Sequence, residues 1–415
     1  MPRRQGYALL IALVAGTAAL AAVVAFAGSL LFSGPRAKAS AAAAGPQNNA
    51  RGSAAPAHSS GLWLATWAAA PVLGAADPNH DQDPAHRTIR NVVHTSIGGN
   101  AARITLSNLF GTQPLLIDNV TVNTRPVTFR GAPTTTVPAG REIVSDPVVV
   151  PVAADADLVV TLRTPTARGP VTVHPNSHQS SYVETAGGTW RSTSWRYLTA
   201  VDVHSPNATG TVVALGDSLT AGTGSTTDAN TRWPDILSDR LNGRYAVVNQ
   251  GIGGNRLLRD GIGQRALGRF DRDVLGVTGA KTVIIALGIN DVQGFPQEKD
   301  PQRITDALRT MTELAHAHGL RVIGATLMPY DGYRSWSPAQ NAVRTQVNKT
   351  IRAGGVFDQV LDFDRDMRDP AHPERLHPAY DSGDHLHLND AGYRRLGSLV
   401  DLTDLVRVRP SSDAL

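Results

Sequence analysis

The chain reads as an α/β protein: a parallel sheet covered by helices, preceded by an all-β sandwich of jelly-roll type. Three observations carry this reading. Residues 61–205 hold short branched runs separated by Pro- and Gly-rich turns, with no useful helical period. From residue 210 onward, short apolar runs alternate with segments of helical spacing. The first of those runs, Val212, Val213, Ala214 and Leu215, passes straight into Gly216, Asp217 and Ser218. It has the form of a buried strand ended by a glycine turn, with a serine at its carboxyl end.

The amino-terminal segment is set apart by charge. The first 39 residues contain Arg3, Arg4, Arg36 and Lys38 and no acidic residue. The formal charge of the whole chain is +4, so the remainder is neutral. The basic pI therefore gives no support to nucleic-acid binding, and no nucleic-acid partner is expected. Residues 7–32 carry no charge and are mostly Ala, Leu and Val, followed by Ala37, Lys38 and Ala39 as a small-x-small cleavage site. Residues 1–39 thus read as an export signal. The alternative is a retained membrane anchor, since 26 uncharged residues suffice to span a bilayer. Residues 40–60, rich in Ala, Gly, Ser and Pro, read as a flexible tether. The chain has no cysteine, which excludes disulfides, thiol catalysis and cysteine-bound metals.

Within residues 61–205, strands are expected at 88–96, 102–106, 115–122, 147–152 and 158–162, with a turn at Gly98, Gly99 and Asn100. Trp63, Trp67, Trp190 and Trp195 flank this region; core or domain-interface positions are favoured over a sugar-stacking surface. In residues 206–415, strands are expected at 211–215, 245–248, 282–287, 321–325 and 360–363. Helices are expected at 233–241, 301–318, 339–353 and 390–400. Ile304, Leu308, Met311, Leu314 and Ala315 mark the apolar face of the second helix. Parallel strands joined by crossovers exit along one edge. Ser218, the glycine cluster at 251–254 and Gly288, Ile289 and Asn290 should therefore meet on one rim.

Near the end stand Asp384, His385, Leu386 and His387. A serine alcohol needs a base to take its proton and a carboxylate to orient that base, and Asp384 and His387 offer both from a single turn. Acyl chemistry also needs donors aimed at a developing oxyanion. The candidates are the Ser218 and Gly254 N–H groups and the Asn290 side-chain amide.

These residues resemble the SGNH, or GDSL, hydrolase family of esterases and lipases. Its four short blocks stand here in order: Gly216 to Leu219, Asn249 to Gly254, Gly288 to Asp291, and Asp384 to His387. The resemblance covers residues 210–404 and implies a flavodoxin-like three-layer α/β/α fold. It also implies Ser218 as nucleophile, His387 as base, Asp384 as its orienting acid, and Ser218, Gly254 and Asn290 as the oxyanion hole. The family's glycine falls on Gly254 or on Gly253. The α/β-hydrolase elbow G-x-S-x-G is not matched, because Thr220 stands in place of its second glycine.

The expected function is an exported serine esterase acting through an acyl-enzyme, without cofactor or metal. Its substrate would be an acetylated polysaccharide, a short-chain acyl ester or a lipid. Contact with a membrane is expected only through the amino-terminal segment. The alternatives are a glycan-binding module with an incidental hydrolase domain, and an acyltransferase using the same triad. Asp384, His385, His387 and His377 are also metal-ligating types, but the order of the blocks disfavours a metal site. Asn249 and Asp291 are expected to hold loops through backbone hydrogen bonds. Arg256, Arg259 and Arg269 read as paired surface charge rather than as an anion site. The β region is expected to be dispensable for the chemistry on small esters, because all four blocks follow it.

Overall fold

In the computed structural model the described residues are 61–74 and 86–405. The export or anchor segment and the tether lie outside them. Among the described residues no helix is long and apolar enough to cross a membrane.

The first region is a two-sheet sandwich. One sheet takes the order β1 (Leu62–Ala68), β7 (Leu198–Ser205), β3 (Gly99–Ser107), with the short strands Glu142–Val144 and Val148–Val152 added to β3. The other places β6 (Ser181–Thr185), β2 (Arg87–Thr95), β5 (Ala156–Thr164) and β4 (Leu115–Val122) side by side. All these pairings are antiparallel. Alternate residues point inward from both sheets and share one core, with Ile104, Leu106, Val201 and Val203 facing Ile89, Val93, Val160 and Leu162. Trp67 and Trp195 are buried in it edge to face, with ring centroids 4.9 Å apart. The chain reverses at residues 96–98 and β3 already begins at Gly99, slightly earlier than the glycine pair suggested.

The second region is a five-stranded parallel sheet in the order β9 (Ala246–Gly251), β8 (Thr211–Gly216), β10 (Ala280–Ala286), β11 (Arg321–Ala325), β12 (Gln359–Leu361). This is the flavodoxin-like arrangement. Every residue of β8 is buried, because both faces are covered. Val213 and Leu215 pack towards α5 (Pro301–Ala317) and α6 (Pro338–Arg352). Val212 and Ala214 pack towards α2 (Trp233–Leu241) and α7 (Asp390–Leu399). The inward face of α5 consists of Ile304, Leu308, Met311 and Ala315; Leu314 is 39% exposed. At 100° per residue Leu314 falls about 80° from that stripe, which is why it leaves the core.

Sheet β1–β7–β3 is buried on its second face as well. Leu64 and Trp67 of β1 enter the sandwich core, whereas Ala65 and Ala68 enter the core of the parallel sheet. A register irregularity between Ala65 and Trp67 permits this three-residue spacing where a regular strand alternates by two. Small side chains let the two regions approach closely. The edge strand β9 is covered in the same way: the Val247 N–H donates to Ser96 Oγ at 3.0 Å, and Ser96 Oγ donates to Thr66 O at 2.6 Å. The Ala65 N–H donates to Thr278 O at 3.1 Å. The sandwich therefore closes a sheet edge that would otherwise offer unpaired N–H and C=O groups, a role the apolar pattern did not reveal.

A chain shortened to begin at residue 206 should accordingly be less stable and self-associate through β9. We expect its midpoint of thermal unfolding to fall by more than about 5 °C, as a loss of ~2 kcal/mol gives in a domain of this size. Light scattering should show oligomers; a monomer of unchanged midpoint would contradict the role given to the sandwich.

Candidate active site

Chain reversal between β9 and β10 around β8 creates a crevice at the carboxyl ends of β8 and β10, where doubly wound sheets place ligands. Ser218 stands there as the first residue of the one-turn helix α1 (Ser218–Ala221). Gly216 must be glycine because a Cβ would collide with the Thr220 side chain. Asp217 caps α1 by accepting the Leu219 N–H at 3.0 Å.

The turn before α7 brings the acid and base. His387 Nε2 lies 2.9 Å from Ser218 Oγ, and His387 Nδ1 lies 2.6 Å from Asp384 Oδ2. Asp384 Oδ1 accepts the N–H groups of Leu386 at 3.0 Å and His387 at 2.8 Å. Partial burial raises the Asp384 pKa, but the hydrogen bond from the His387 ring and the two amides outweigh it and hold it at about 2. The imidazole side chain is 13% exposed and the carboxylate 43%. An imidazole with an alcohol on one nitrogen and a carboxylate on the other can take the alcohol's proton.

On the opposite side stand the amide donors. Gly254 has φ +73°, in the left-handed region, and a Cβ there would meet Ile262 Cδ1 at 2.8 Å. Gly253 has open space around it and no such constraint. Neither the Ser218 N–H nor the Gly254 N–H donates to another described residue. Asn290 lies in the first turn of α4 (Ile289–Gln293), at the exit of β10. Its Nδ2 donates to Asn255 O at 3.0 Å and to Asp217 Oδ2 at 3.3 Å.

The remaining residues singled out in the sequence separate into structural roles. Asn249 Nδ2 donates to Thr220 O at 2.7 Å, and its Oδ1 accepts the Gly251 N–H at 3.0 Å. Asp291 accepts the N–H groups of Leu257 at 2.8 Å and Leu258 at 3.0 Å. Both tie the glycine loop to the strand ends, as expected. His385 pairs with Asp381 at 2.7 Å, and His377 Nδ1 accepts the Ala379 N–H at 3.1 Å. Among the described residues no group of three His, Asp or Glu side chains is arranged to hold a metal ion. The loop after β11 carries Tyr333, whose ring stands edge-on to His387 at 6.4 Å. Beside it Ile289, Tyr330 and Leu386 form a buried apolar cluster, flanked by Leu219, Tyr333 and Trp336.

Arg269 departs from the sequence reading. It is a buried crosspiece beneath the site, not surface charge. It donates to Gly216 O at 3.1 Å, Gln250 O at 2.9 Å and Asn255 Oδ1 at 3.1 Å, and pairs with buried Asp273 at 3.0 Å. Burial lowers its pKa and the Asp273 charge opposes that. Arg256 is also largely covered, donating to Phe295 O at 3.3 Å and Pro296 O at 2.6 Å. Asp217, too, does more than its type suggested. It is fully buried, and burial first, with the nearby Asp291 charge, pushes its pKa up to about 7.

A parallel sheet in this order, with serine, histidine and aspartate hydrogen-bonded across its switch point, defines a hydrolase of the α/β class. Residues 214–395 match the model of the GDSL-like lipase/acylhydrolase family. The protein is a carboxylic ester hydrolase of that type. Among solved structures it is similar to a GDSL-like lipase from Bacteroides thetaiotaomicron, with 22% identity over 46% of this chain and 84% of that one, TM-score 0.36. It is similar also to a carbohydrate acetylesterase from Sinorhizobium meliloti, with 15% identity over 45% and 94% of the two chains, TM-score 0.38. A third is the aryl esterase of M. smegmatis, with 15% identity over 45% and 94%, TM-score 0.38. No curated protein matches the chain.

Removing the crosspiece should release both strand ends at once. Arg269→Met takes the guanidinium from Gln250 O and from Gly216 O, which keeps only the Ile252 N–H at 3.1 Å; Arg272 still pairs with Asp273 at 2.5 Å. We expect a loss of about 3 kcal/mol in chemical denaturation, the low end for breaking a buried pair, together with a fall in ester hydrolysis. Unchanged stability would mean that Arg269 is not structural.

Proposed function

We propose that the protein is an exported serine esterase that removes short acyl groups from polar alcohols, such as acetylated glycans, through an acyl-enzyme. The observation that carries this reading is the hydrogen-bonded chain from Ser218 through His387 to Asp384. Ser218 Oγ attacks the ester carbonyl carbon as its proton passes to His387 Nε2. The carbonyl oxygen turns negative and is met by the Ser218 and Gly254 N–H groups and Asn290 Nδ2. The bond from carbonyl carbon to alcohol oxygen then breaks, and the leaving alcohol takes the proton from Nε2. Water repeats the sequence in reverse roles and frees the acid.

The preference for short acyl groups is supported by the apolar cluster beside Ser218. Ile289, Tyr330 and Leu386 are each no more than 3% exposed, so an acyl group would meet a packed wall there. Export is supported by the uncharged stretch at 7–32, the two arginines before it and the small-x-small site after it. No metal or cofactor takes part in this mechanism.

A p-nitrophenyl ester series should favour acetate and butyrate over decanoate by more than about tenfold in kcat/KM, and acetylated xylan should release acetate. A preference for long chains would overturn the short-acyl assignment. Ser218→Ala should keep its fold and lose roughly 10⁴-fold or more in kcat. A fluorophosphonate should label Ser218 in the wild type, and labelling elsewhere would refute the nucleophile.

The pH profile follows from Asp384. A carboxyl held at about 2 stays ionised above that pH, and its charge is lost only as pH falls through 2. The acidic limb of kcat/KM above pH 4 should therefore not include Asp384, and a further break between about pH 3 and 5 would contradict its ionised state. A limb steeper than one ionisation would report Asp217, which burial pushes up to about 7 beside Asn290. EDTA should leave activity unchanged, and loss restored by zinc would revive the metal reading of Asp384, His385 and His387.

A further inference from the structure

The donor proposed to meet the oxyanion from α4 is a side-chain amide, and an amide has two orientations of nearly equal shape. Only one presents N–H to the crevice. In this site three groups select it. Gln293, one turn further along α4, donates from Nε2 to Asn290 Oδ1 at 3.0 Å. Asn255 O and Asp217 Oδ2 accept from Asn290 Nδ2 at 3.0 and 3.3 Å. Reversing the amide would set NH₂ against NH₂ at Gln293, and oxygen against both a carbonyl and a carboxyl oxygen at the other end. The far end of Gln293 is anchored in turn, because Ser335 Oγ donates to Gln293 Oε1 at 2.7 Å. All of Asp217, Asn255, Asn290 and Gln293 are buried, so water does not compete for these bonds.

We propose that Gln293 is a positioning residue of the oxyanion hole, which fixes the Asn290 amide with Nδ2, rather than Oδ1, on the side of Asn255 and Asp217 and is itself anchored by Ser335. The inference rests on the oxyanion reading of Asn290 given above. The Asn290–Asp217 bond at 3.3 Å is the long one of the set. It holds the second Nδ2 hydrogen in the resting enzyme and yields it as charge develops on the substrate oxygen. Ser335 lies on the same loop as Tyr333, which stands against His387. One loop therefore supports the base and the oxyanion donor together.

The test is a double-mutant cycle on the full chain with p-nitrophenyl acetate. Gln293→Met removes the donor while keeping the volume, and Gln293→Glu offers Asn290 Oδ1 an acceptor instead. We expect Gln293→Met to lower kcat about tenfold with KM within twofold, and Gln293→Glu to lower it about a hundredfold. Ser335→Ala, a change at a half-buried position outside the crevice, should lower kcat about threefold. In an Asn290→Ala background, Gln293→Met should change kcat by less than twofold, because the group it positions is gone. Full multiplication of the two losses, or wild-type kcat in Gln293→Met, overturns the positioning role while leaving Asn290 in place. Wild-type kcat in Asn290→Ala alone would instead remove the oxyanion reading, and the positioning role with it. If Gln293→Glu fails to fold by circular dichroism, the Met and Ala variants still decide the question.

Discussion

The geometry of the crevice depends on one buried cation. Parallel strands end in carbonyls that the sheet satisfies only in part, and the ends of the neighbouring strands β8 and β9 lie side by side beneath the site. Arg269 answers both, at Gly216 and Gln250, and reaches Asn255 beyond the glycine loop. A guanidinium can do this because its donors are fixed in one plane; an ammonium has no such span. Its charge is balanced by Asp273, which Arg272 also grips. The serine turn and the loop carrying Gly254 are thus fixed to the same rigid group, which sets their spacing independently of the loops above.

The acid–base turn is held differently. It has no strand beneath it and relies on local capping. Asp384 binds two amides of its own turn, Asp381 accepts from Gly383 and His385, and Asn389 donates to Ala379 O and Asp381 O. Asp390, at the start of α7, accepts from Thr226 and Thr231 of the segment that follows the serine helix. That segment is gripped from the sandwich side, where Ser180 donates to Asp228 and Arg232 donates to Ser177 O. The sandwich thus reaches the catalytic side through a chain of hydrogen bonds as well as covering the edge of β9.

Much of this was legible in the sequence. The parallel strands and long helices fall within a few residues of where apolar runs and helical spacing placed them, because both follow directly from side-chain burial. The meeting of Ser218, the glycine loop at 251–254 and Asn290 on one rim followed from parallel crossovers alone. Less legible was anything that depends on which charged residue is buried. Arg269 looks like Arg256 and Arg259 in sequence, and only the convergence of Gly216 O, Gln250 O and Asn255 makes it internal. β1 was missed because Ala65 and Ala68 serve one core while Leu64 and Trp67 serve another, which erases the alternation a strand normally shows. Gln293 did carry a signal, since a position three residues after Asn290 on a helix lies beside it.

The two aspartates nearest Ser218 show how burial divides labour between identical side chains. Asp384 is close to half exposed and surrounded by donors, so its charge is cheap to keep and its pKa rests at about 2. A carboxylate so stabilised can face an imidazolium without taking its proton. Asp217 is enclosed, shares its surroundings with the Asp291 charge, and is pushed up to about 7. Placed beside the ring, such a group would compete for the proton; placed behind Asn290, it serves as an acceptor whose hold weakens whenever it takes up a proton. Exchanging the two environments would spoil both tasks. The short Asp-x-x-His turn at the surface and the buried Gly-Asp-Ser turn at the strand exit are therefore two solutions to one electrostatic requirement. A fixed negative charge is needed on the far side of the imidazole, and as little as possible where the substrate oxygen becomes an anion.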